Sequence, residues 1–97
     1  MSVIAELSIF PTDKGISVSP YVARIVKIIE SSGLPHELNS MGTCIEGEWS
    51  AVSEVVDQCF KDLQKDCDRI YCTIKADYRK NRSGGLSSKV DSVKSQL

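Results

Sequence analysis

Residues 2–10, SVIAELSIF, alternate so that Val3, Ala5, Leu7 and Ile9 fall on one face and Ile4, Glu6, Ser8 and Phe10 on the other. A period of two predicts a strand with one apolar and one mixed side. After the loop PTDKGISV, Ser19 and Pro20 read as an N-cap and first-turn pair, and Val22, Ile25, Val26 and Ile29 recur at i, i+3, i+4, i+7. This predicts an amphipathic helix that Gly33 and Pro35 end. HELNSMGTCIEGEW reads as two short strands, 36–40 and 43–48, with a tight turn at Met41-Gly42. Ser50 then caps a second helix, in which Val52, Val55, Val56, Cys59, Phe60 and Leu63 form one stripe before the polar run QKDCD. Residues 69–79, RIYCTIKADYR, alternate again, with Ile70, Cys72, Ile74 and Ala76 opposite Tyr71, Thr73, Lys75, Asp77 and Arg79. KNRSGG is a loop, and LSSKVDSVKSQL sets Leu86, Val90, Val93 and Leu97 on one side of a C-terminal helix. The order β-α-β-β-α-β plus a tail helix predicts an α+β ferredoxin-like sandwich, with four antiparallel strands under two helices.

Composition bounds this picture. Ninety-seven residues with three Pro, six Gly and 41% hydrophobic letters make one domain, 1–97, and exclude a two-domain enzyme. A chain this short buries roughly two-thirds of its unfolded surface, so self-association would add stability, and a homo-oligomer is expected. Twelve Lys+Arg against thirteen Asp+Glu, net -1, offer no broad cationic surface to nucleic acid. The opening MSVIAELSIFPTDKG lacks the basic lead-in of a secretory signal, and no run reaches the roughly 18 apolar residues of a membrane span. A cytoplasmic protein with no membrane partner is therefore expected. Cys44, Cys59, Cys67 and Cys72 form no CxxC pair and no zinc spacing, so they read as small reduced core residues, with no metal site implied. The absence of MxCxxC rules out a copper chaperone.

The sheet face opposite the helices decides what such a domain can bind. Alternation assigns to it Ile4, Glu6, Ser8 and Phe10, then Cys44, Glu46 and Glu48, then Tyr71, Thr73, Lys75 and Asp77. An RNA-binding module would show central aromatics in a basic surround, and this face carries acids instead. PTDKGIS is a poor phosphate cradle for an acylphosphatase-like enzyme. His36 is the only histidine and no GxSxG turn accompanies it, so Ser-His-Asp chemistry is unsupported and His36 reads as an edge-strand residue. Acids beside hydroxyls suit a small cationic ligand that also offers amino groups. The alternative is that Glu6 and Glu46 simply pair with Lys75 across strands.

Met41-Gly42-Thr43-Cys44-Ile45-Glu46-Gly47-Glu48, followed by Ser50, resembles the signature of the small thiamine-binding proteins of the YkoF-like superfamily. Three further segments fit in order: the first strand ending in Pro with Ser17-x-Ser19-x-Tyr21-Val22, then Ser32-Gly33-Leu34, then Asp77-x-Arg79. The chain departs from the pattern at Tyr78-Arg79-Lys80-Asn81-Arg82, where the family often carries an acid and basic run, leaving Asp77 and Arg79 as the matching pair; the cations of this stretch read as a solvated loop, or as receivers of a phosphate on the ligand. The resemblance implies a ferredoxin-like domain assembled as a homotetramer, a dimer of dimers. It further implies binding of thiamine or its pyrimidine portion, without catalysis and without a cofactor. Glu46 would offset the thiazolium cation, and Ser17, Ser19, Asn39, Thr43 and Asp77 would supply polar contacts. Trp49 or Tyr21 could stack on a ring, and Trp49 could equally anchor a subunit contact. A structural or regulatory oligomer without a small ligand is the alternative reading.

Overall fold

The computed structural model describes residues 2–97. Its elements are β1 (Val3–Pro11), α1 (Ser19–Ser31), β2 (His36–Asn39), β3 (Gly42–Gly47), α2 (Trp49–Gln64), β4 (Ile70–Tyr78) and α3 (Gly85–Lys94). The strands form one antiparallel sheet in the order β2-β3-β1-β4, which is the ferredoxin-like arrangement with an added C-terminal helix.

Period-two alternation in β1 does most of the work. Val3, Ala5, Leu7, Ile9 and Pro11 are buried, while the intervening residues are half-exposed. The buried set meets Ile25 and Ile29 of α1, Ile45 of β3 and the Val52, Val55, Val56, Cys59 and Leu63 stripe of α2. Each well-buried aliphatic side chain contributes about 1.5–3 kcal/mol by leaving water. Arg24 fastens the two helices together from outside. Its Nε donates to Asp62 Oδ2 and its Nη1 to Asp66 Oδ2, both at 2.9 Å, and its guanidinium lies 5.5 Å from the Tyr21 ring centre. All four cysteines are free thiols, two of them buried, and burial pushes the Cys59 thiol up to about 12.

The helix starts differ from the sequence reading. Val18 rather than Ser19 precedes α1, and its carbonyl accepts from the Tyr21 and Val22 amides at 3.0 Å. Glu48 rather than Ser50 precedes α2 and accepts from Ala51 and Val52 in the same way. Ser19 and Ser50 therefore sit inside the first turns, and neither helix has a side-chain cap. Gly33 does close α1, at φ 75°, where a side chain would be strained.

The larger correction concerns α3. Gly85 lies flat on the sheet face opposite α1 and α2, where a Cβ would come within 2.5 Å of Ile4 Cδ1. Helices thus occupy both faces, although α3 covers only one end of the second. The Val90, Val93 and Leu97 side of α3 is exposed, and the helix stops before Leu97.

Candidate functional site

The strand register brings the mixed face together as the alternation required, except for Glu48, which lies beyond the end of β3 and leads into α2. Glu6 stands between Cys44 and Lys75, Ser8 opposite Thr73, Phe10 opposite Tyr71, and Ile4 between Glu46 and Asp77. The predicted ligand residues do not share one site, however. They divide between the two ends of β1.

Ser17, Ser19, Asn39 and Thr43 gather at the end where the β1–α1 loop meets the β2–β3 hairpin. A cavity of about 210 Å³ opens there, with apolar walls from Leu7, Ile9, Phe10, Val18, Val22 and Ile25. Its polar groups are few: Ser8, Asn39, Ser40 and Thr43. Thr43 is 4% exposed, and its hydroxyl has no hydrogen-bond partner among the described residues. Asn39 Nδ2 makes a long contact of 3.7 Å with Cys44 Sγ. Ser17 and Ser19 are exposed and flank Val18 at the rim. An apolar cleft with a small number of placed hydrogen-bonding groups is the usual build of a small-molecule site. No carboxylate lines it among the described residues.

Glu46, Trp49 and Asp77 lie at the other end. Glu46 is 4% exposed, its carboxylate accepts three hydrogen bonds from its own chain, and it lines a cavity of about 360 Å³ with Ser2, Leu34, Gly47 and Leu86. Oε2 accepts from the Ser2 hydroxyl and the Gly85 amide, each at 2.8 Å, and Oε1 from the Leu86 amide at 3.3 Å. A carboxylate on the first amides of a helix satisfies donors that have no intrahelical partner and complements the helix dipole. Burial alone would raise the Glu46 pKa, but the Gly85 amide, Ser2 hydroxyl and Leu86 amide, with the Arg82 charge, hold it below the ordinary carboxylate range. Glu46 therefore does not pair with Lys75. Glu6 does, at 3.1 Å, so the cross-strand pairing expected of both acids exists for one. Asp77 accepts from Lys89 and, at 3.2 Å, from Arg82 Nη1, and these cations depress its pKa. Trp49 is half-exposed at the start of α2, and Tyr21 packs against the core beneath Arg24. His36 Nδ1 donates to the Leu34 carbonyl at 2.9 Å on edge strand β2.

Sequence reasoning missed the part that Ser2, Arg82 and Gly85 play in binding α3 to the sheet, and the apolar walls contributed by Leu38 and Met41. The Gly84-Gly85 pair was the available signal: Gly84 takes φ 64° before the helix and Gly85 permits the close approach.

Residues 5–94 match the family described as thiamine-binding protein. The chain belongs to that family. The UPF0045 protein MJ1052 of Methanocaldococcus jannaschii is 32% identical over 91 residues, covering 94% of this chain and 91% of the relative. Its crystal structure superposes with a TM-score of 0.89, covering 96% of both chains. The UPF0045 protein sll0230 of Synechocystis is 34% identical over 98 residues, covering 100% of this chain and 81% of that one. A Thermotoga maritima structure, described as a candidate thiamine biosynthesis/salvage protein, shares the fold of this family member at TM-score 0.81 and 20% identity, covering 93% and 99% of the two chains. No helix among the described residues is long and apolar enough to cross a membrane.

Proposed function

We propose that this protein binds thiamine, or a compound carrying its aminopyrimidine, in the cavity at the hairpin end, and does so as a homo-oligomer without chemical turnover. The cavity's composition carries the reading: apolar walls with an unpaired Thr43 hydroxyl and an Asn39 amide at its mouth. A pyrimidine ring buries its faces against Leu7, Val22 and Ile25 and meets Thr43 and Asn39 through its donor-acceptor edge. With no carboxylate in the lining, the ring system enters and the thiazolium cation stays toward water, the reverse of the expectation that Glu46 would hold it.

Exposed surface supports self-association. β4 is a nine-residue edge strand with one side unpaired, and Tyr71, Ile74 and Tyr78 along it are 40–58% exposed. Long edges of this kind are covered in stable proteins, and a second copy pairing antiparallel would cover this one. The apolar side of α3 offers a second contact for a dimer of dimers.

Calorimetric titration with thiamine, thiamine monophosphate and hydroxymethylpyrimidine tests the proposal. All three should bind, and Thr43→Val should weaken them about tenfold, the loss of one hydrogen bond in a desolvated site, while leaving the melting temperature unchanged. Absence of binding to the native protein, with a stable oligomer by light scattering, would establish the ligand-free structural role instead.

A further inference from the structure

The two sides of α3 look toward different edges of the sheet, Leu86 and Val90 toward Pro35, His36 and Glu37 at β2 and the opposite side toward β4. Gly85, Ser88, Lys89 and Ser92 share one face at i, i+3, i+4, i+7, and this polar face rather than the Leu86, Val90, Val93 side looks toward the end of β4. Between them lies an open groove of about 610 Å³ lined by Asp77, Arg79, Arg82, Ser88, Lys89 and Ser92. Three cations there face one carboxylate. Asp77 is already shared by Arg82 and Lys89, and Arg79 has no ion-pair partner among the described residues. Arg82 is a fixed cation, since its side chain is 11% exposed and its Nη2 donates to the Asp77 carbonyl at 2.7 Å. Its own carbonyl accepts from the Ser2 amide, and its buried Nε is left without a partner. A pre-positioned guanidinium, two exposed cations and two serine hydroxyls form the donor set that recognises a tetrahedral oxyanion.

We infer that this groove is a binding site for phosphate, free or as a monoester whose organic part fills the remaining volume. The site is separate from the proposed thiamine cavity. Asp77 stands opposite Ile4, whereas the cavity begins at Leu7 and runs to Phe10, about 10–20 Å further along β1 at 3.3 Å per residue. Asp77 is the internal competitor: it holds Arg82 and Lys89 in place and gives up part of its share of Lys89 when an anion enters.

Amide NMR of the full-length protein, titrated with inorganic phosphate, pyrophosphate or glycerol phosphate at constant ionic strength, tests the inference. Saturable shifts at Ser88, Lys89 and Ser92 are expected, and a preference for the ester over inorganic phosphate identifies the source. Arg79→Gln and Lys89→Gln, both at exposed side chains, should each raise the half-saturating concentration about fivefold, Asp77→Asn should lower it, and Lys61→Gln on α2 should leave it unchanged. Non-saturable shifts, shifts reproduced by chloride, or equal weakening by Lys61→Gln would overturn it. Hydroxymethylpyrimidine titration of the Arg79 and Lys89 variants keeps the two sites distinguishable, because binding at the hairpin end should be unchanged.

Discussion

The hairpin end and the α3 end of the sheet are built on the same strand, yet at one a buried hydroxyl is left unpaired and at the other a buried carboxylate is taken up by the chain itself. At the hairpin end, β1 leaves Ser8 beside an apolar cavity whose Thr43 hydroxyl awaits a partner. At the α3 end, the acid two residues beyond Cys44 is consumed by amides of the C-terminal helix. Glu6 and Glu46 share a face and a charge, and the surroundings give them different work. An acid in a recognisable motif is a ligand group only if nothing in its own chain reaches it first.

The difference can be broken most forcefully at Glu46. Glu46→Gln removes the charge from three hydrogen bonds in a buried setting and should destabilise the protein by about 2–3 kcal/mol in urea unfolding, with loss of hydrogen-exchange protection at Leu86. Acid should reach the same state. The folded carboxylate titrates below its ordinary 4.5, so its contribution is complete above that pH and disappears as the pH falls through the depressed folded value. Far-ultraviolet circular dichroism from pH 6 downward should show α3 loosening only below about 4.5, and no such step in Glu46→Gln. Gly85→Ala comes next. Its Cβ meets Ile4 Cδ1 at 2.5 Å and the Arg82 Nε at 3.1 Å, and the adjustment should cost about 1 kcal/mol by thermal unfolding. Smallest is Glu6→Gln. The Glu6–Lys75 pair is exposed on both sides, and its loss should change stability by less than about 0.5 kcal/mol, decreasing further in high salt.

The fold was legible because β1 and β4 keep strict alternation and α2 keeps an unbroken stripe, each long enough to admit one reading. Helix starts were not, because Val18 and Glu48 act through backbone carbonyls, which any residue supplies, while the neighbouring serines advertise a cap they do not make. The candidate site was half legible. Thr43 and Asn39 follow from the hairpin, a local feature. The engagement of Glu46 was not legible because its partners Ser2 and Gly85 lie 44 and 39 residues away, and no periodicity encodes a contact of that range. The α3 stripe told less: Leu86, Val90 and Val93 do line one side of a helix, but amphipathicity did not say which sheet face the helix would join, and only Leu86 of the three is half-buried there.

The place of β1 in the sheet has a bearing on how the protein is made. β1 leaves the ribosome before both strands that flank it, β3 and β4, and its register with β4 joins residues 3–11 to residues 70–78. Its two hydrogen-bonding edges are therefore both filled only after residues 70–78 have been synthesised. Contacts so distant in sequence slow folding. Nascent chains halted before β4 would carry a half-paired central strand, which makes this segment the natural point of engagement for chaperones during translation.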